Sequence, residues 1–188
     1  MNRSLAESLN NPAMKPTLIS EKIAVAKDLY ARWGEELKRD SNISAGLREL
    51  SARVEASGCF CHASGVSEAC RACDREEGGS CCGAGIEDRY SPVLLLINLL
   101  LGVTLPESRN SAKSCYFLGK KGCTLQAREI ICVNYLCTRL QKTIPPEKLL
   151  QLQQVNGTEM ELLFLLHNRI RDFITKKESR AEINPLSA

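Results

Sequence analysis

At 188 residues the chain is long enough for one domain that buries about 70% of its unfolded surface, so its ten cysteines are not needed to staple an undersized core. Its 25 basic and 22 acidic residues leave a net charge of +3, too balanced for the basic footprint of a nucleic-acid protein. The start MNRSLAESLNNPAMKPT has no apolar signal region, and the longest apolar run, Pro92 to Pro106, is shorter than the ~20 residues of a membrane helix. These features predict a cytoplasmic protein with no membrane or nucleic-acid partner.

Residues 1–17 read as a flexible segment ahead of a single helical domain over 18–178, with a loose tail at 179–188. From Leu18 to Lys38 the residues Ile19, Ile23, Ala26, Tyr30, Trp33 and Leu37 recur at three- and four-residue spacing, which predicts an amphipathic helix capped near Ser20 and Glu21. Ile43, Leu47, Leu50 and Val54 mark a second helix, expected to stop at Gly58, with the cysteines starting just after it. Ser67 and Glu68 open a short helix that carries Cys70 and Cys73 on one face and ends in EEGG.

Ser91-Pro92 starts the apolar core helix, which Gly102 and Pro106 close. Ile130, Val133, Cys137 and Leu140 predict a helix over 125–142. IPPEKLLQLQQVNG reads as another, ended by Gly157, and Thr158 as the cap of a last one with the core stripe Leu162, Leu166, Ile170 and Phe173. No run alternates as a strand does. The expected fold is all-α, a helical bundle with an irregular cysteine-rich metal-binding middle at 59–140.

All ten cysteines lie in that middle: Cys59, Cys61, Cys70, Cys73, Cys81, Cys82, Cys115, Cys123, Cys132 and Cys137. In a reducing compartment such density favours metal over disulfides. Thiolates bind zinc or the irons of a cluster, and either centre takes about four of them. One helical turn aims Cys70 and Cys73 the same way, whereas Cys81-Cys82 suits a multi-iron cluster, two neighbouring centres, or one ligand beside a core thiol. The glycines Gly78, Gly79, Gly83 and Gly85 let backbone wrap closely around a bound group.

CRACDREEGGSCC, followed after a helix by CYFLGKKGCTLQAREIIC, resembles the YkgJ or CxxCxxCC cysteine-cluster family, described as a zinc- or iron-chelating domain. Cys115-Tyr-Phe-Leu, Gly122-Cys123, Arg128 and Cys132 stand where that family has its second box, and Glu129 stands where it has a proline. The resemblance covers about residues 59 to 140. It implies metal ligation by Cys70, Cys73, Cys81, Cys82, Cys115, Cys123 and Cys132, with Cys137 an even choice between ligand and core. Cys59, Cys61 and His62 are weaker candidates.

CFCH has one residue too few between its thiols for c-type haem attachment, and no βαβ pattern surrounds the CRAC pair as a redox dithiol requires. His167 reads as an ordinary half-buried helix residue, and Arg169, Arg171, Lys176, Lys177 and Arg180 as a solvated face. The expected function is metal binding, with an iron–sulfur cluster preferred over zinc. The cluster would serve electron transfer or an accessory role beside a protein or redox partner. A structural zinc module is the alternative, and an enzyme related to flagellin lysine methylases, which carry a similar cysteine box, is a second. Both boxes are expected to face one centre.

Overall fold

The computed structural model describes residues 18–76 and 81–183. The expectations for residues 1–17, 184–188, Gly78 and Gly79 lie outside those residues. Within them the fold is all-α, as expected, apart from one very short hairpin.

Helix α1, Ile19–Arg39, begins without a side-chain cap. The Leu18 carbonyl accepts the amides of Glu21 and Lys22 at 2.9 and 3.2 Å, in place of the expected cap by Ser20 and Glu21. Asp40 then caps α2, Ser41–Ala63, by accepting the amides of Asn42 and Ile43, each at 3.0 Å. Helix α2 runs through Gly58 instead of stopping there. A glycine inside a helix costs only about 1 kcal/mol, and packing on both sides of it outweighs that: Phe60 and Cys61 sit on an apolar cluster, and Ser57 bonds Glu159. The left-handed residue that ends this stretch is Gly65, with φ of 84°. Cys59, Cys61 and His62 are therefore helical. Helix α3 follows as Val66–Glu76.

Helix α4, Pro92–Leu100, matches its expectation. The Ser91 hydroxyl accepts the Leu94 amide at 3.1 Å, Pro92 takes the first turn, and Gly102 follows the end with φ of 83°. The next stretch is irregular except for β1, Leu118–Gly119, paired antiparallel with β2, Gly122–Cys123, a strand pair that the sequence pattern did not reveal.

The helix expected over 125–142 is instead two short helices, α5 at Ile130–Asn134 and α6 at Thr138–Thr143. Residues 126 and 127 are held by side-chain bonds from α4, and the Cys137 sulfur starts α6 afresh by accepting the Leu140 amide at 3.5 Å. The two helices expected to follow are one, α7, Pro146–Ile183. Thr158 does not cap it: its hydroxyl donates to the Val155 carbonyl at 2.9 Å inside the continuing helix. The helix also takes up the first residues of the expected loose tail.

Two apolar clusters result. The main core joins Ile23, Ala26 and Leu29 of α1, Ile43 and Leu50 of α2, Val93 to Ile97 of α4, and Leu163, Leu166, Ile170 and Ile174 of α7. The α7 stripe is thus offset from the expected one, with Leu162 and Phe173 only at its margin. A smaller cluster of Val66, Leu140, Ile144, Leu149 and Leu152 ties α3 and α6 to the start of α7. No helix among the described residues is long and apolar enough to cross a membrane.

Candidate functional site

The thiols gather where these two clusters meet the irregular segments. Three of them, Cys82, Cys115 and Cys132, belong to or pack against the main core. The Cys82 carbonyl accepts the Cys115 amide at 2.6 Å, Ala84 donates to the Lys113 carbonyl at 3.0 Å, and Gly83 bridges Ser114. These bonds lay the CC segment alongside the start of the second box. Glu87, 2% exposed, locks the pairing by accepting the Gly85 amide at 2.9 Å and by an ion pair with Arg109, which also donates to the Ser114 carbonyl. Burial alone would raise the Glu87 pKa. Its own amide, Arg109 and the Gly85 amide outweigh that and hold the carboxyl below its usual range.

The hairpin carries Cys123 back over Cys115, with the Thr124 amide on the Phe117 carbonyl at 2.9 Å. Beyond it, Asn98 of α4 clamps the chain. Its amide group donates to the carbonyls of Ala127 at 2.8 Å and Leu94 at 3.0 Å, while its oxygen accepts the amides of Gln126 and Ala127. Tyr90, 1% exposed, then positions Cys132. Its hydroxyl accepts the Glu129 amide at 3.3 Å and donates to the Cys132 sulfur at 3.9 Å. Glu129 itself caps α5, accepting the Ile130 amide at 3.1 Å.

The other thiols collect at the smaller cluster, against which Cys61 and Cys137 pack. Cys70 and Cys73 approach from α3. Burial pushes the Cys70 thiol up to about 11, and the neighbouring Cys81, Cys137, Cys61 and Cys73 add to that in this order. The Cys61 thiol is also raised by burial, with Arg128 opposing and Glu159 reinforcing the shift.

In the second group burial pushes Cys115 up to about 11, aided by Glu87, Cys123 and Cys132. Burial likewise raises Cys123 and Cys132, against the Leu125 amide and the Tyr90 hydroxyl respectively, and Arg128 opposes both. Arg128 therefore acts on thiols of both groups.

Cys81 acts on both Cys70 and Cys82. The Cys82 thiol donates to the Cys81 sulfur and, with the amides of both residues, lowers Cys81 to about 6 despite its burial. Cys82 is raised in return, so the two thiols resist ionising together.

No disulfide joins any of the ten cysteines, all of which are among the described residues. Among the described residues no three His, Cys, Asp or Glu side chains are drawn tightly enough together to hold a metal ion. The thiols thus stand within electrostatic reach of each other without coordination geometry, and ligation requires them to close in. Cys70 stands within electrostatic reach of Cys81, Cys137, Cys61 and Cys73, Cys82 within reach of Cys81, Cys132 and Cys123, and Cys115 within reach of Cys123 and Cys132. Two residues along a helix from Cys61, Cys59 turns to the exposed face, and His62 is exposed as well.

The sequence pattern singled out none of the residues that hold these segments: Glu87, Tyr90, Asn98, Glu159 and Asn156. A buried polar residue inside an apolar run, Asn98, was the one legible sign. Glu159 and Asn156, 1% and 2% exposed, approach from α7. Glu159 accepts from Ser57 and Asn156 donates to the Val133 carbonyl at 2.7 Å, while Glu159 Oε1 and Asn156 Oδ1 have no hydrogen-bond partner among the described residues. Comparison with protein-family models, curated proteins and solved structures finds no match to this chain.

Proposed function

We propose that the protein is a cysteine-cluster metal-binding protein that holds an iron–sulfur centre for electron transfer or as an accessory module. The observation that carries this reading is the gathering of thiols from separate segments, residues 61 to 137, within electrostatic reach of one another. Without a metal such an arrangement is costly. Crowded and partly desolvated sulfurs resist ionisation, as the raised Cys70 and Cys115 show. A soft or borderline cation removes that cost by binding thiolates, with release of their protons. Arg128, beside Cys61, Cys123 and Cys132, offsets part of the negative charge of the assembled thiolates.

Iron is preferred because the vicinal pair and the surplus of sulfurs suit polynuclear chemistry. A structural zinc module is the second reading, since about four thiolates complete a closed tetrahedral zinc site and the chain has ten cysteines. A reducing, cytoplasmic setting belongs to the same proposal, since thiols in this number persist only where they are kept reduced. Purification without oxygen, followed by iron, sulfide and zinc analysis and a visible spectrum, tests the reading. A brown protein with iron and sulfide in matching amounts supports the cluster. A colourless protein with stoichiometric zinc leaves the structural module, and a protein with neither metal ends the proposal.

A further inference from the structure

We infer that the outer face of α7 is a self-association surface, on which the same helix of a second copy of this chain packs antiparallel, the two crossing at Gly157. This is independent of the metal-binding reading. Its first support is where apolar surface stays uncovered. Among the described residues, six of the seven exposed large apolar side chains belong to two helices in contact: Ile130, Ile131 and Tyr135 lie on or just beyond α5, and Leu150, Phe164 and Leu165 on α7. Asn156 of α7 donates to the Val133 carbonyl of α5 at 2.7 Å, which ties the two helices together in one region of the surface. Charge is missing from the same stretch of α7. From 149 to 168 the charged residues are Glu159, which is buried, and Glu161, whereas 169 to 180 carries seven. A face that meets only water carries charge along its length, as 169 to 180 does, and does not leave Leu150, Phe164 and Leu165 more than half exposed.

The occupant follows from the order of residues along that face. Leu150, Gln154, Gly157, Glu161 and Phe164 recur at alternating four- and three-residue steps, the spacing of a seam between two helices. The seam is also self-complementary, as a two-fold interface between identical copies requires. Leu150 and Phe164 each stand seven residues from Gly157. An antiparallel pair therefore sets Leu150 of each copy beside Phe164 and Leu165 of the other, and Gln154 beside Glu161, where the amide can donate to the carboxylate in both halves. Two parallel copies in register would oppose Glu161 to Glu161, a like-charge contact that disfavours them. At the midpoint nothing lies within 4 Å of a Cβ added at Gly157, so a second helix has room to approach, and a methyl group would not prevent it. From Leu150 to Leu165 the seam runs about 22 Å, roughly four helical turns of contact.

The test is sedimentation equilibrium of the full chain, purified without oxygen and kept under reductant so that no disulfide links copies, from micromolar to millimolar concentration. The wild type is expected to approach twice the chain mass as concentration rises, and Phe164→Glu to stay at the mass of one chain with unchanged helical circular dichroism. A wild type that remains monomeric, with or without a different protein bound in its place, overturns the inference, as does a folded Phe164→Glu variant that still dimerises. Gln154→Lys keeps the proposal falsifiable if Phe164→Glu fails to fold, because position 154 is exposed and lysine is a good helix former. Opposite Glu161 of the other copy it should tighten the dimer roughly threefold at low salt, through two new ion pairs, and lose that gain at high salt. An unchanged or weaker dimer would overturn the antiparallel pairing, since in a parallel pair the new lysines would face each other.

Discussion

Asn98 shows how one side chain positions the second box. It has no exposed surface, and it makes four hydrogen bonds, three of them to the backbone of Gln126 and Ala127. Replacement by leucine keeps the volume roughly constant but leaves those backbone groups without partners, at about 1 to 3 kcal/mol for each buried group. Asn98→Leu is accordingly expected to lower stability by about 3 kcal/mol in denaturant unfolding and to weaken metal retention, because Arg128 and Cys132 follow directly from the clamped residues. A loss under 1 kcal/mol would contradict the clamp. The hydrophobic pattern around Asn98 predicted its helix correctly. It said nothing of the amide's role, because the partners lie 28 and 29 positions away and are backbone groups with no side-chain signature.

Elements were legible where packing repeats with the helical period and illegible where single tertiary bonds decide. Helix α4 was evident from Ser91, Pro92 and its apolar run, and its cap forms as such residues dictate. Glycine misled twice, at Gly58 and Gly157, because both occur in helices long enough for packing to outweigh the local cost. The 125–142 segment misled in the opposite sense, since its periodicity was real but Asn98 and Cys137 break it. The continuity of α7 has a sharp consequence at Gly157, where an added Cβ meets no atom within 4 Å. Gly157→Ala should therefore stabilise the protein by about 0.5 to 1 kcal/mol, because alanine loses less conformational entropy in a helix. Thermal unfolding checks this, and a lower midpoint would mean that the helix breaks there after all.

At the scale of the whole molecule the stability is unevenly spread. Helices α1, α2, α4 and α7 share the main core, whereas the chain from 101 to 129 has only a two-residue strand pair and a few clamps for regular structure. The candidate site was legible in the same uneven way: cysteine spacing pointed to most of the thiols that the fold gathers, but not to their division, which depends on which apolar cluster each segment packs against. If metal draws these thiols together, its binding energy, of order 10 kcal/mol, adds to the stability of the segments least able to hold themselves. Metal removal should then act locally. After treatment with a strong chelator under reducing conditions, the cysteine region 59–140 is expected to become sensitive to protease, with cleavage first between 101 and 129. Most of the helical circular dichroism should survive, since the four core helices pack chiefly on one another. Unchanged protease resistance would separate metal from fold. Global loss of helicity would show instead that the core cannot stand without the centre, contrary to the independence its burial implies.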